Sequence, residues 1–150
     1  MAGDPVNSFC VFGLTVRQVL EEPEYQVNPR DLQCVELRAG RKAVAKAARG
    51  AGYSVATFDI QDDVVEQDLA SWNGFRNALA TVMRLQLQPG GYLHQAPVCA
   101  NFVWANSSKT KRTSKNPAGD LSYQPVVLGN IMAEVAAFNM LLCDARGDPA

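Results

Sequence analysis

A cysteine, a carboxylate, a glycine turn and a run of cations are the residues of this chain whose types and spacing suit chemistry. Cys99 closes the apolar run Gly90-Gly91-Tyr92-Leu93-His94-Gln95-Ala96-Pro97-Val98-Cys99. A cysteine at the carboxyl end of a strand in an open α/β sheet lies where such sheets keep their sites, and its thiolate is a nucleophile. Asp59 stands near the end of the β-branched stretch Ser54 to Ile60, placed to accept hydrogen bonds from a ribose diol. The turn Glu36-Leu37-Arg38-Ala39-Gly40-Arg41-Lys42-Ala43 leads into a helix whose N-terminus suits anionic groups, and Gly40 lets the backbone approach a ligand. Residues 106–115 carry Lys109, Lys111, Arg112 and Lys115 with no acid among them, a composition for phosphate contacts rather than base readout. Each feature alone has a plain structural alternative: a buried thiol, a tight turn with a solvated strand-end acid, a solubilising loop.

The whole chain narrows the classes. Its 150 residues, 47% hydrophobic and 19% charged, suit one globular domain and argue against global disorder. A net charge of −1 implies no general affinity for polyanions, so any nucleic-acid contact must come from a local patch. Cys10, Cys34, Cys99 and Cys143 form no C-x-x-C pair and the lone His94 adds no zinc spacing, so no metal site is expected. Asp4 stands where a secretory signal carries basic residues and Arg17 interrupts the short apolar run before it, which predicts reduced thiols in an intracellular compartment, nuclear or cytoplasmic. Pro125 to Cys143 is the most apolar segment, yet it holds Glu134, Asn130 and Asn139 and reads as a core helix rather than a membrane span.

The elements that must position these residues alternate. Residues 1–30 read as a peripheral helix and linker, and the domain is placed at 31–150, after Pro29. Leu32 to Leu37 reads as a buried strand, Arg41 to Ala51 as a helix stopped at Gly52, and Ser54 to Ile60 as a strand parallel to the first. Gly74 to Gln88 reads as a second helix, ended by Pro89-Gly90-Gly91 before the strand Tyr92 to Cys99. A weak fourth strand falls around Val64 to Leu69, and a long helix around Tyr123 to Ala145. Apolar strands alternating with helices predict an α/β three-layer domain. Cys34 and Cys143 read as core side chains, and Trp72 and Trp104 as core or cleft residues that could also stack bases.

Three segments, in this order, resemble a known family. Glu36-Leu37-Arg38-Ala39-Gly40, Phe58-Asp59-Ile60 and Ala96-Pro97-Val98-Cys99-Ala100-Asn101-Phe102 are similar to the cofactor turn, the ribose-binding acid and the catalytic Pro-Cys motif of cytosine-5 DNA methyltransferases, across about Cys34 to Asp120. The resemblance implies a Rossmann-like methyltransferase fold, here with a partial parallel sheet, and S-adenosylmethionine as cofactor. It implies that Glu36, Ala39 and Gly40 line the cofactor turn, Asp59 holds the ribose and Asp68 faces the adenine edge. Cys99 would add to carbon 6 of a flipped cytosine and make carbon 5 nucleophilic. Lys109, Lys111, Arg112 and Lys115 would contact DNA, since the family's catalytic loop falls here.

Arg38 stands where the family has phenylalanine, Lys42 where it has a second glycine, and the family's Glu-Asn-Pro or Glu-Asn-Val motif does not occur in the sequence, so either it is a portion of a longer one or the protein has lost the chemistry. A turn crowded by Arg38 and Lys42 implies cofactor binding weaker than the family norm. The alternative reading is a non-catalytic α/β binding module that kept the fold and lost the cofactor turn. A nicotinamide-binding domain is set aside because G-x-G-x-x-G is absent. On the first reading Gly40, Asp59 and Cys99 surround one crevice at the carboxyl ends of adjacent strands.

Overall fold

A computed structural model describes residues 4–26, 30–86 and 90–147. In chain order it contains helix α1 (Pro5–Ser8), the short hairpin β1 (Cys10–Val11) and β2 (Leu14–Thr15), helix α2 (Val16–Glu21) and a 3-10 turn at Pro23–Tyr25. Strand β3 (Cys34–Leu37), helix α3 (Ala43–Gly50), strand β4 (Val55–Phe58), helix α4 (Trp72–Met83) and strand β5 (Tyr92–Gln95) follow. A 3-10 turn at Trp104–Asn106, helix α5 (Ser107–Thr110) and helix α6 (Gln124–Ala145) complete it.

The fold is mixed α/β around a three-stranded parallel sheet in the order β4-β3-β5. Leu37 pairs in register with Phe58 on one side and with Gln95 on the other. Because strand side chains alternate, β3 faces two environments. Val35 and Leu37 join the core with Phe75, Leu79 and Val82 of α4 and Met132, Val135, Phe138 and Leu142 of α6. Phe75 and Phe138 meet edge to face, centroids 5.4 Å apart. On the opposite face the buried Glu36 accepts a hydrogen bond from the Ala45 amide in the first turn of α3, at 2.7 Å. Helices therefore cover both faces. The β3–α3–β4 connection runs one way and β4–α4–β5 the other, leaving a crevice at the carboxyl ends of β3 and β5, where open α/β sheets bind ligands.

Several boundaries differ from the sequence reading. The first strand is shorter because Leu32 bridges Leu85 instead, with the Gln86 amide donating to the Leu32 carbonyl at 2.8 Å; the same pairing draws the chain out of α4 after Met83. The last strand stops at Gln95, two residues before Pro97, which has no amide to offer a ladder. The strand read around Val64 to Leu69 is absent among the described residues. There the Asp63 carboxylate accepts from the amides of Val65 and Glu66 and holds the chain in turns. Residues 1–30 are not peripheral where described: Val11, Leu14, Val16, Val19 and Tyr25 are buried in the same core. The break at Pro29 and the start of the Pro89-Gly90-Gly91 turn lie outside the described residues.

α6 is long and apolar enough by composition to cross a membrane, with a mean hydropathy of 1.8 over its best window. Eight of its residues, among them Val126, Val135, Phe138 and Leu142, are nonetheless buried against the rest of the chain. Two amides stitch it to β5: Asn139 donates to Gln95 at 3.2 Å, and Gln95 donates to the Ala136 carbonyl at 3.1 Å.

The packing of α4 on its leading turn gives a direct test. A Cβ placed on Gly74 would fall 2.1 Å from the Asp68 carbonyl oxygen, backbone that cannot move away cheaply. Gly74→Ala is expected to destabilise the domain by about 3 kcal/mol or more in urea unfolding. Gly50→Ala, with nothing within 4 Å of the new methyl group, is expected to stabilise by about 0.5–1 kcal/mol.

Candidate functional site

The loop after β3 turns sharply. Arg38, Gly40 and Lys42 all take left-handed backbone angles, with φ of 57°, 45° and 55°. Glycine adopts this at no cost, whereas each side-chain-bearing residue pays about 1–2 kcal/mol. The position where the resembled family has its second glycine is thus one that demands left-handed backbone here, and Lys42 meets the demand while its ammonium pairs with Asp62 at 2.7 Å.

Asp59 holds this loop to the one after β4. Its Oδ2 accepts from the Gly40 amide at 2.8 Å and its Oδ1 from the Gln61 amide at 2.9 Å. The Asp59 amide in turn donates to Gln67 Oε1 at 2.8 Å. Gly40 and Asp59 are therefore in direct contact, and Ala39 is buried beside them. Glu36 faces the other way, capping α3. Asp68 uses its carboxylate on the Ala70 amide at 3.0 Å and sits next to, not in, the wall of the crevice.

The crevice itself is a cavity of about 250 Å³ touching all three strand-end loops through Arg38, Asp59, Gln61, Gln67, Ala96 and Val98. Gln61, Gln67 and the crevice position of Arg38 are not in the sequence reading; the only signal for them was Arg38 as a departure from a motif. The Arg38 guanidinium is half-buried and makes no hydrogen bond among the described residues, its Nε fully enclosed. Burial pushes its pKa below the usual arginine value, and the nearby charges of Asp59 and Asp68 oppose that shift.

Cys99 lies four positions past the end of β5, exposed, on the loop whose Val98 lines the crevice. Its thiol has no hydrogen-bond partner among the described residues, and His94 is back in β5, stacked on Tyr92. The loop that follows presents Trp104, at 87% exposure the most open large apolar residue described, in place of the core or cleft role expected for it. Trp72 instead joins an aromatic group with Phe12 and Phe75.

Within the basic segment the cations separate. Lys109, Lys111 and Lys115 are exposed. Arg112 is not available for phosphates in the manner expected, because its guanidinium donates to Asn101 O at 2.9 Å, to Asn130 Oδ1 at 2.8 Å and to Pro117 O, and lies 4.1 Å over the Phe102 ring. It pins the Cys99 loop to α6. Lys109 and Lys111 flank a shallow surface depression with Ser108 and Ser122. Asp120, also on its rim, has its carboxyl held below the usual range by hydrogen bonds from Ser122 and by the Lys111 charge.

Comparison of the chain with known protein families, with curated proteins and with solved structures finds no match.

The Asp59 bridge is testable without any ligand. In Asp59→Asn one carboxylate oxygen becomes an NH₂ facing a backbone donor, leaving a buried amide unpaired. The variant is expected to lose about 1–3 kcal/mol in urea unfolding. It should also speed hydrogen exchange at Gly40 and Gln61, while Asp63→Asn leaves exchange at Gly40 unchanged.

Proposed function

We propose that this chain is an S-adenosylmethionine-dependent methyltransferase-like domain of the cytosine-5 DNA type, with a Rossmann-like arrangement in which the cofactor lies across the ends of β3 and β4 and the base is presented to Cys99. The observation that carries the reading is the convergence of the three motif-bearing loops on one crevice at the switch point of a parallel sheet.

The residues suit the cofactor. Each Asp59 oxygen accepts one amide and keeps lone-pair capacity for a ribose hydroxyl. Gly40 has open space where a side chain would stand, and Gln61 and Gln67 add donors and acceptors to the wall. Glu36 and Ala39 support the turn from beneath, and Asp68 acts through the turn it holds. The cofactor when bound supplies an electrophilic methyl group. Cys99 supplies the thiolate that adds to carbon 6 of the pyrimidine, and its exposed position leaves room for a base swung out of a duplex. Trp104 offers a face for stacking beside it, and Lys109, Lys111 and Lys115 offer charge to the backbone phosphates.

A second reading rests on a specific observation. Arg38 occupies the crevice wall and Asp59 already binds two amides, which suits a non-catalytic α/β binding module that kept the fold.

Calorimetric titration of the folded protein with S-adenosylmethionine separates the two. The first reading expects weak saturable binding that tightens in Lys42→Gly, where the side chain crowding the turn is removed and the backbone is free to approach the ligand. No heat from either folded form would hand the chain to the second. For DNA, affinity is expected to fall steeply with salt, and changing Lys109, Lys111 and Lys115 together to alanine should flatten the log–log slope by about two to three units. Arg112→Ala should instead lower thermal stability. An unchanged slope in the triple variant makes the segment a solvated connector.

A further inference from the structure

Arg38 carries up to five N–H donors and spends none of them on an acceptor among the described residues. Buried donors are nearly always satisfied in folded proteins, so one left open at a ligand-type crevice calls for an acceptor from outside the chain. The two carboxylates nearby do not fill the role. Neither Asp59 nor Asp68 is hydrogen-bonded to the guanidinium; their carboxylates accept from the Gly40, Gln61 and Ala70 amides instead. Their charges still help keep the guanidinium protonated against burial. Its backbone reinforces the placement: a left-handed φ of 57° at Arg38 is a conformation that side-chain-bearing residues rarely take, and it sets the residue on the wall shared by the 250 Å³ cavity and a smaller one against Gln95, Pro97 and Met132.

We infer that Arg38 is the anion-recognising residue of the crevice, its planar fork taking a carboxylate or phosphate group on the ligand that binds there. The fork matches such groups with two parallel hydrogen bonds, which a neutral ligand edge cannot match. The inference rests on reading the crevice as the ligand site, but not on the ligand being a methyl donor. An arginine here would make the site select among adenosyl compounds by their anionic group, where a phenylalanine could select only by stacking.

Two ligand pairs test it, titrated into wild type, Arg38→Gln and Arg38→Lys, each checked for folding by circular dichroism. One pair is S-adenosylhomocysteine against 5′-methylthioadenosine, which lacks the amino acid carboxylate. The other is adenosine 5′-monophosphate against adenosine. In wild type the member that carries the carboxylate or phosphate is expected, in at least one pair, to bind about tenfold tighter or more. Arg38→Gln should erase that preference, and Arg38→Lys should keep part of it as a point charge without the fork. The discriminating pair identifies the source of the group, carboxylate or phosphate. If neither pair shows a preference, or a preference survives in folded Arg38→Gln, the inference is overturned. S-adenosylhomocysteine and 5′-methylthioadenosine binding equally well, with no phosphate preference, leaves the methyltransferase reading standing and removes this one. A phosphate preference with no binding of S-adenosylhomocysteine does the reverse.

Discussion

The Asp59 carboxylate is the constraint on which the crevice depends. Its two oxygens accept from amides of two different loops, and so tie the turn after β3 to the turn after β4. A carboxylate is suited to this because it accepts at both oxygens and donates at neither. The turn it holds is strained, with Arg38 and Lys42 both in left-handed backbone, and the bridge together with the Lys42–Asp62 pair offsets part of that cost. Backbone bonds from the Arg38 and Ala39 amides to the Phe58 carbonyl, at 2.7 and 3.4 Å, lead the chain into the same bridge.

Behind the crevice lies a one-sided core. The floor of the sheet on its α6 face is apolar and closed by Phe75, Phe138, Val135 and Leu142, with the N-terminal hairpin and α2 sealing the same cluster. The other face is thinner, carrying α3 and the Glu36 cap. That asymmetry explains how α6 can be as apolar as a membrane span and still belong to a folded domain: its apolar side chains meet those of α4, α2 and β1, while at the seam Asn139 donates to Gln95 and Gln95 to the Ala136 carbonyl. The rigid side anchors β5, and β5 anchors the loop that carries Cys99.

That loop divides its labour by charge and burial. Arg112 is consumed in holding Asn101, Pro117 and Asn130, and so ties the segment after Cys99 to α6. The lysines around it remain in solvent, and Trp104, between Cys99 and the lysines along the chain, is exposed as well. A run of four cations in the sequence is therefore one structural arginine and three exposed lysines.

The sequence by itself determined the alternation of strands and helices, because hydrophobic period and glycine or proline breaks are local properties of the chain. It also placed Gly40, Asp59 and Cys99 on the loops that follow strands, although β5 ends at Gln95, four residues short of Cys99. Only the tertiary structure decided the strand order, since pairing partners far apart in the chain leave no local trace. It alone decided that Leu32 would pair with Leu85 rather than extend β3, that residues 11–25 would enter the core, and that Asp63 would hold turns where β-branched residues suggested a strand. The fate of the polar side chains was the least legible. Arg38 and Arg112 look alike in sequence, but one lines a crevice without an acceptor among the described residues and the other donates from each of its three nitrogens, because a guanidinium's role depends on which acceptors the fold brings within 3 Å of it, and that is set by contacts across the chain rather than by its neighbours along it.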